Sequence, residues 1–320
     1  MIRLPTTEAQ VLAALVGAEL RAGGTDLMER RAQGVSRGPL VDLQRAGRPT
    51  GLSFVGPGLQ IEAATTLAAL AADPRVRAGY PGLAAAAGGL ATPQIRERAT
   101  LGGSLAQRVR CWYYRNPSFT CLKKGGDLCL ARAGDHLFHV VIDQGPCAAP
   151  HPSTVGMALL AYGATVDVQS AKGSRVLSMS ELFGKGADPN RENTLQDGEL
   201  IRAVSLPPPL TGERAAYFRA IHRARAEWPL VEVIARLVLT ANKVSFARVA
   251  VGGVANTPLE LPAVEAALLG QGADGFAAAA ARAAEGASPL PMTAYKVELL
   301  RASVLEALER AAAAVPVGGA

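Results

Sequence analysis

The chain has 320 residues, enough for about two domains at roughly 100–200 residues each. Hydrophobic residues make up 49% and charged residues 19%, which excludes a disordered chain, and 5% aromatics leave no base-stacking surface. The net charge of +6 comes from arginines spread along the whole sequence, with lysine only at Lys123, Lys124, Lys172, Lys185, Lys243 and Lys296, so no nucleic-acid partner is expected.

In chain order, Thr7 and Gln10 are spaced as a capping box for a helix running to Leu15. The opening residues have neither the apolar core nor the cleavage site of a signal peptide, so the cytoplasm is the expected compartment; co-export to the periplasm with a signal-bearing partner is the alternative. Ala18 to Ala22 reads as a short strand entering Gly23-Gly24, and Leu40 to Leu43 as another. A second unit starts near Leu52: Leu59 to Ala63 alternates as a strand, Thr66 caps an alanine-rich helix, and Pro81 to Gly89 predicts a further helix. Thr92-Pro93 leads through Ile95-Arg96 into a second glycine turn, Thr100-Leu101-Gly102-Gly103-Ser104.

Residues 111 to 151 differ from their surroundings. They contain every cysteine, His136, His139 and His151, and no long periodic segment, so this stretch would not pack unaided. From Ser153 a helix runs to Ala161, followed by the strand Ala164 to Val168. Pro207-Pro208-Pro209 marks a boundary. Beyond it the pattern predicts a helix over Trp228 to Leu239, a strand over Val244 to Val251, and helices near Pro262 to Leu269 and Ala294 to Ala313. Apolar runs such as Leu83 to Leu90 and Phe276 to Ala281 fall well short of the roughly 18 residues a membrane span needs, so no span is expected.

Two features carry chemistry. In Ala22-Gly23-Gly24-Thr25-Asp26-Leu27, two glycines follow a strand and let backbone N–H groups approach an anion. Read alone, the same residues also suit a tight turn with Asp26 as a helix cap. The Thr100 to Ser104 turn has similar ingredients, and the pair would suit a dinucleotide pyrophosphate. Neither turn fits the Rossmann fingerprint or the lysine-bearing phosphate loop.

The second feature is Cys111-x9-Cys121-x7-Cys129-x17-Cys147. It lacks the close cysteine pair of a zinc ribbon and the tight run of a ferredoxin. An iron–sulfur cluster leads, taking one thiolate per iron. Zinc with a histidine in place of one thiolate, and unpaired buried cysteines, are the alternatives. Lys123 and Lys124 beside Cys121 would offset the charge of a thiolate-bound cluster.

Ala22 to Leu27, with Gln94-Ile95-Arg96 and Ala99 to Leu105, resembles the FAD-binding medium subunit of molybdenum hydroxylases, the xanthine dehydrogenase and carbon monoxide dehydrogenase family. His151-Pro152-Ser153-Thr154, Val251 to Pro258 and Tyr295-Lys296-Val297 extend the likeness over nearly the whole chain. The stretches Arg108 to Arg115, Cys121 to Asp127 and Gly134 to His139 resemble the insertion that carries a 4Fe–4S cluster in the bacterial aldehyde oxidoreductase and 4-hydroxybenzoyl-CoA reductase types.

The resemblance implies an α+β fold: a two-lobed FAD-binding domain over 1–207, with lobes of about 1–50 and 51–207, then a C-terminal domain over 208–320 built from a small antiparallel sheet with helices. An iron–sulfur loop would be inserted at about 108–150. FAD would be held by Ala22, Gly23, Gly24, Thr25, Asp26, Leu27, Thr100, Gly102, Gly103, Ser104 and Thr154, with Arg219 and Trp228 nearer the isoalloxazine. Ser104 stands where relatives carry Asn or Asp, and Thr154 where they carry Asp. Cys111, Cys121, Cys129 and Cys147 would ligate the 4Fe–4S cluster.

The implied function is electron transfer between an external acceptor and a small 2Fe–2S subunit, with a large molybdopterin-binding subunit doing the substrate chemistry; no catalytic acid, base or nucleophile is expected. The alternatives are a 4-hydroxybenzoyl-CoA reductase-type medium subunit, an FAD-only subunit with idle cysteines, and a zinc- or cysteine-stabilised binding module without a redox role.

Overall fold

Short capped elements build three layers around the site. The computed structural model describes residues 1–224 and 226–318; Arg225, Gly319 and Ala320 of the expected C-terminal domain lie outside the described residues. The first lobe runs β1 (Ile2–Arg3), α1 (Glu8–Leu15), β2 (Glu19–Arg21), α2 (Leu27–Ala32) and β3 (Leu40–Asp42). The Thr7 hydroxyl accepts from Gln10 N, while Gln10 Oε1 accepts from Thr6 N, so the box closes one residue before the cap. The strands form a parallel sheet ordered β1-β3-β2. Its core of Val11, Leu15, Val41 and Ala46 is completed by Leu200 from the second lobe, so the small lobe leans on the larger one.

The second lobe continues with β4 (Leu52–Val55), β5 (Gly58–Glu62), α3 (Leu67–Ala72), α4 (Pro74–Gly79), α5 (Pro81–Gly89), α6 (Pro93–Arg98) and α7 (Leu101–Leu105). Thr66, Asp73, Thr92 and Thr100 each cap a helix through the side chain, and proline opens α4, α5 and α6. The predicted second glycine turn is therefore the first turn of a helix. After a loop carrying α8 (Trp112–Arg115) and α9 (Leu130–Ala133) come α10 (Thr154–Ala161), β6 (Thr165–Ser170), β7 (Gly173–Ser178), α11 (Met179–Phe183) and β8 (Leu200–Leu206). The sheet is antiparallel, ordered β4-β5-β8-β6-β7. Every residue of α10 is buried, because the helix is enclosed by α5, α7 and the C-terminal sheet.

The C-terminal domain has β9 (Glu213–Ala220), β10 (Val231–Thr240), β11 (Lys243–Gly252) and β12 (Leu259–Glu260), antiparallel in the order β12-β11-β10-β9. Helices α12 (Pro262–Leu268), α13 (Phe276–Ala281) and α14 (Tyr295–Ala313) follow, with α14 lying across β9 and β10. The helix predicted over Trp228 to Leu239 is a correction: the segment is the central strand β10. Its Glu232 and Arg236 are four apart, a spacing that puts two residues on one face of either a helix or a strand. The β-branched residues Val231, Val233, Ile234 and Val238, with pairing on both edges, decide for strand.

The two domains share buried contacts. Ile234 and Ala250 belong to the second lobe's core. Arg236 forms a buried ion pair with Glu213 (2.6 Å), lies 4.1 Å over the Tyr162 ring and donates to the Ala161 carbonyl at the end of α10.

The cysteine-bearing segment is held as its irregularity requires. Val141 and Ile142 N–H donate to Val254 O, and His151 N–H donates to Ala255 O. Asn256 Nδ2 donates to the carbonyls of Cys147 and Ala149. Lys296 of α14, fully buried, donates to the carbonyls of Phe138, His139 and Gly253. The segment is thus tied to the turn after β11 and to α14 by backbone and side-chain hydrogen bonds.

Candidate functional site

A cavity of about 1000 Å³ lies between the first lobe, the second lobe and the loop before β10. The first turn enters it from the end of β2. Gly24 has φ +77°, a conformation open to glycine, and the first α2 amide to bond back is Met28 N, to Gly24 O. The N–H groups of Thr25 to Leu27 precede that bond and point ahead of the helix, where an anion can take them. A Cβ on Gly23 would meet Arg98 O at 1.8 Å, so Gly23 is needed where the backbone at the end of α6, just before the second turn, lies against the first.

The second turn uses its amides differently. Leu101 N donates to Thr65 O, Gly102 N to Ala63 O and Gly103 N to the Thr100 hydroxyl. These groups hold the wall together, leaving Gly103's open backbone and Ser104 to line the cavity. Thr154 lines it from the first residue of α10. His151 orients that helix start: its Nδ1 accepts from Ser153 N, its ring lies 4.6 Å from Phe183, and burial pushes its pKa down to about 3, so it stays neutral.

Asp26 sits at the cap position of α2 but makes no cap hydrogen bond. Its carboxylate is held by Arg115 (2.6 Å), Arg110 (3.0 Å) and Arg30 (3.1 Å). Burial would raise its pKa, but Arg110, Arg115 and Arg30 outweigh that, and the net shift is downward. Arg110 lines the cavity and lies 4.4 Å over the ring of Trp228, which is half-exposed at the mouth. Burial lowers the Arg110 pKa to about 10. Arg98, Arg110 and Gln107 are lining residues that the sequence motifs did not single out. For Arg98 the signal was Gly23 itself, whose missing side chain makes room for it.

The structure brings Ala22, Gly23, Gly24, Thr25, Asp26, Leu27, Thr100, Gly102, Gly103, Ser104, Thr154 and Trp228 onto this one cavity. Arg219 lies outside its lining, on β9 opposite Glu232. The cavity's size, free amides and arginines fit a dinucleotide such as FAD.

A second, small cavity is lined by Cys111, Cys121, Cys129 and Cys147, all free thiols. Cys129 is hydrogen-bonded to Cys147 and to nearby backbone N–H groups, which hold its pKa low, while burial raises that of Cys111 to about 11. His139 Nε2 lies 3.3 Å from Cys111 Sγ. Among the described residues, no group of three or more His, Cys, Asp or Glu is placed to hold a metal ion. Of the two lysines expected to offset a cluster's charge, Lys123 lines this cavity while pairing with buried Glu192 (3.2 Å), whereas Lys124 donates to Asn116 O. No helix among the described residues is long and apolar enough to cross a membrane.

The two-lobed domain, the antiparallel C-terminal sheet and the dinucleotide-sized cavity define a flavin-binding α+β protein. The family model "FAD binding domain in molybdopterin dehydrogenase" matches residues 5–209, and "CO dehydrogenase flavoprotein C-terminal domain" matches residues 216–311. The chain is 33% identical over 272 residues to the aldehyde oxidoreductase FAD-binding subunit PaoB of Escherichia coli K12, spanning 83% of this chain and 84% of that one. It is 28% identical over 250 residues to the nicotine 6-hydroxylase medium subunit of Paenarthrobacter nicotinovorans, covering 78% and 71%. The carbon monoxide dehydrogenase structure from Hydrogenophaga pseudoflava shares the fold at a TM-score of 0.77 and 24% identity, over 98% of this chain and 96% of that one. The chain belongs to the family of FAD-binding subunits of molybdopterin dehydrogenases, and its role is that of a redox enzyme subunit.

Proposed function

We propose that this chain is the FAD and 4Fe–4S electron-transfer subunit of a heteromeric molybdenum-containing oxidoreductase of the aldehyde type. A small 2Fe–2S subunit would exchange electrons with it, and a large molybdopterin subunit would transform the substrate. The observation that carries the reading is the convergence of both glycine turns, Thr154 and Trp228 on one dinucleotide-sized cavity, with all four cysteines lining a second. The name of the Escherichia coli relative supports the aldehyde assignment.

Bound there, FAD supplies exchange between two-electron and one-electron carriers. The Thr25 to Leu27 amides would receive its pyrophosphate, with Arg110 adding positive charge at the wall. Arg110 and Trp228 stack on each other in the cavity lining. Cys111, Cys121, Cys129 and Cys147 would each bind a different iron of a 4Fe–4S cluster, a one-electron carrier. Four thiols on one small cavity match in number the one thiolate per iron that a cubane takes. Anaerobically purified protein should show flavin bands with a broad iron–sulfur shoulder. Colourless protein holding stoichiometric zinc would overturn the reading.

A further inference from the structure

His139 is buried beside Cys111: its Nε2 lies 3.3 Å from Cys111 Sγ, and Cys111 lines the small cavity whereas His139 does not. The imidazole is held through both ends of its own backbone unit. His139 N–H donates to His136 O, and His139 O accepts from the fully buried Lys296 ammonium at 3.0 Å. The same segment grips α8, the helix that follows Cys111, at a second point, where Asp135 N–H donates to the Tyr113 hydroxyl at 2.8 Å. No side chain fits at Gly134, since a Cβ there would fall 2.3 Å from that hydroxyl. The fold therefore fixes where this ring stands relative to the Cys111 sulfur.

The ring's surroundings assign its proton. A neutral imidazole carries one N–H and one lone pair. His139 Nδ1 is buried with no hydrogen-bond partner among the described residues. A proton there would be a buried donor with nothing to receive it, and Nε2 would turn its lone pair on the sulfur. With the proton on Nε2, the ring's one donor meets the sulfur and only a lone pair goes unpaired. A doubly protonated ring would again leave a donor stranded at Nδ1. Given the 4Fe–4S reading of the four cysteines, on which this rests, we propose that His139 is a positioning residue of the iron–sulfur site. Its neutral ring donates Nε2–H to Cys111 Sγ, steadies that thiolate as a ligand and makes the cluster easier to reduce. A donor at a ligating sulfur draws charge off it and so favours the reduced cluster, which carries one more electron.

The test compares the anaerobically purified full-length chain with His139→Phe, which keeps a flat ring but no donor, and His139→Gln, whose amide restores an N–H. Iron and FAD content are measured first, then the cluster's midpoint potential by redox titration followed by electron paramagnetic resonance. His139→Phe should keep its FAD and lower the potential by about 59 mV, a tenfold change in the one-electron equilibrium and the scale of one hydrogen bond to a charged group. His139→Gln should recover most of that shift. A parent-like potential in His139→Phe, or a His139→Gln potential as low as that of His139→Phe, would overturn the proposal. Should His139→Phe fail to fold or to hold iron, His139→Gln decides: parent-like iron and potential uphold the donor role, and a lowered potential or lost iron refutes it. A parent chain holding FAD but no iron would sink the cluster reading itself, whereas parent iron with an unmoved potential in His139→Phe sinks the donor role alone.

Discussion

The missing side chain of Gly23 lies against the carbonyl of Arg98: a Cβ there would stand 1.8 Å from that oxygen. The two halves of the flavin cavity thus meet backbone to backbone at one residue. Gly23→Ala must push them apart, at an overpacking cost of about 1–3 kcal/mol. We expect a lower melting temperature and loss of FAD on gel filtration, and parent values in both would contradict this contact's role.

Asp26 is the counter-ion of the arginines at the cavity wall rather than a helix cap. Asp26→Asn should destabilise by about 1–3 kcal/mol at neutral pH, because Arg110 and Arg115 lose their shared partner. Its folded pKa lies below the ordinary 3.8, so its stabilisation is complete above that value and fades as pH falls through the folded one. Thermal melts should therefore show the variant and parent converging only in acid below about pH 4. A gap that stays constant to the lowest pH would rule the mechanism out.

Glu213 and Arg236 form a buried ion pair within the C-terminal sheet, from which Arg236 also donates to Ala161 O of the FAD-binding domain, and Glu213 is wholly enclosed. Removing one partner leaves the other charge uncompensated, so Glu213→Gln or Arg236→Met should each cost about 3–5 kcal/mol in urea unfolding. A double replacement by apolar residues should recover much of that loss. If it were as unstable as the sum of the singles, the coupling would be refuted.

Lys296 is the peg on which the cysteine segment hangs. Lys296→Met leaves three carbonyls without their donor, at about 1–3 kcal/mol for a buried unsatisfied group. Limited proteolysis should then cut within residues 134–142 sooner than elsewhere. Burial lowers the ammonium's pKa from 10.5 to about 7, so the unfolded chain binds the extra proton between those values. This group's contribution accordingly makes the parent more stable as pH rises through that window. The slope should be absent in the methionine variant.

Much of this was legible in the residues. Thr66 and Ser153 announced their helices because capping is local chemistry, whereas the short helix α6 behind the Thr92 cap was not foreseen. The two glycine turns were found for the same reason, but their different uses were not. Whether an amide at Gly102 faces a ligand or Ala63 O depends on a chain segment some forty residues away. Asp26 read as a cap because its arginine partners Arg110 and Arg115 lie more than eighty residues downstream. β10 was mistaken for a helix because its identity rests on pairing with β9 and β11, information that no single segment contains. The cysteine segment was correctly read as unable to pack alone. The Val254 to Asn256 turn and Lys296, which hold it, could be known only from the fold.

The central claim is that one chain carries FAD in the large cavity and a 4Fe–4S cluster on the four cysteines. The most direct measurement is iron and flavin content, with electron paramagnetic resonance after dithionite reduction, on anaerobically purified parent and Cys121→Ser protein. The account predicts one FAD and about four irons per parent chain. It predicts a reduced-cluster signal in the parent, and Cys121→Ser protein that retains FAD but loses most of its iron and that signal. Unchanged iron in the variant, or a parent holding FAD without iron, would contradict it.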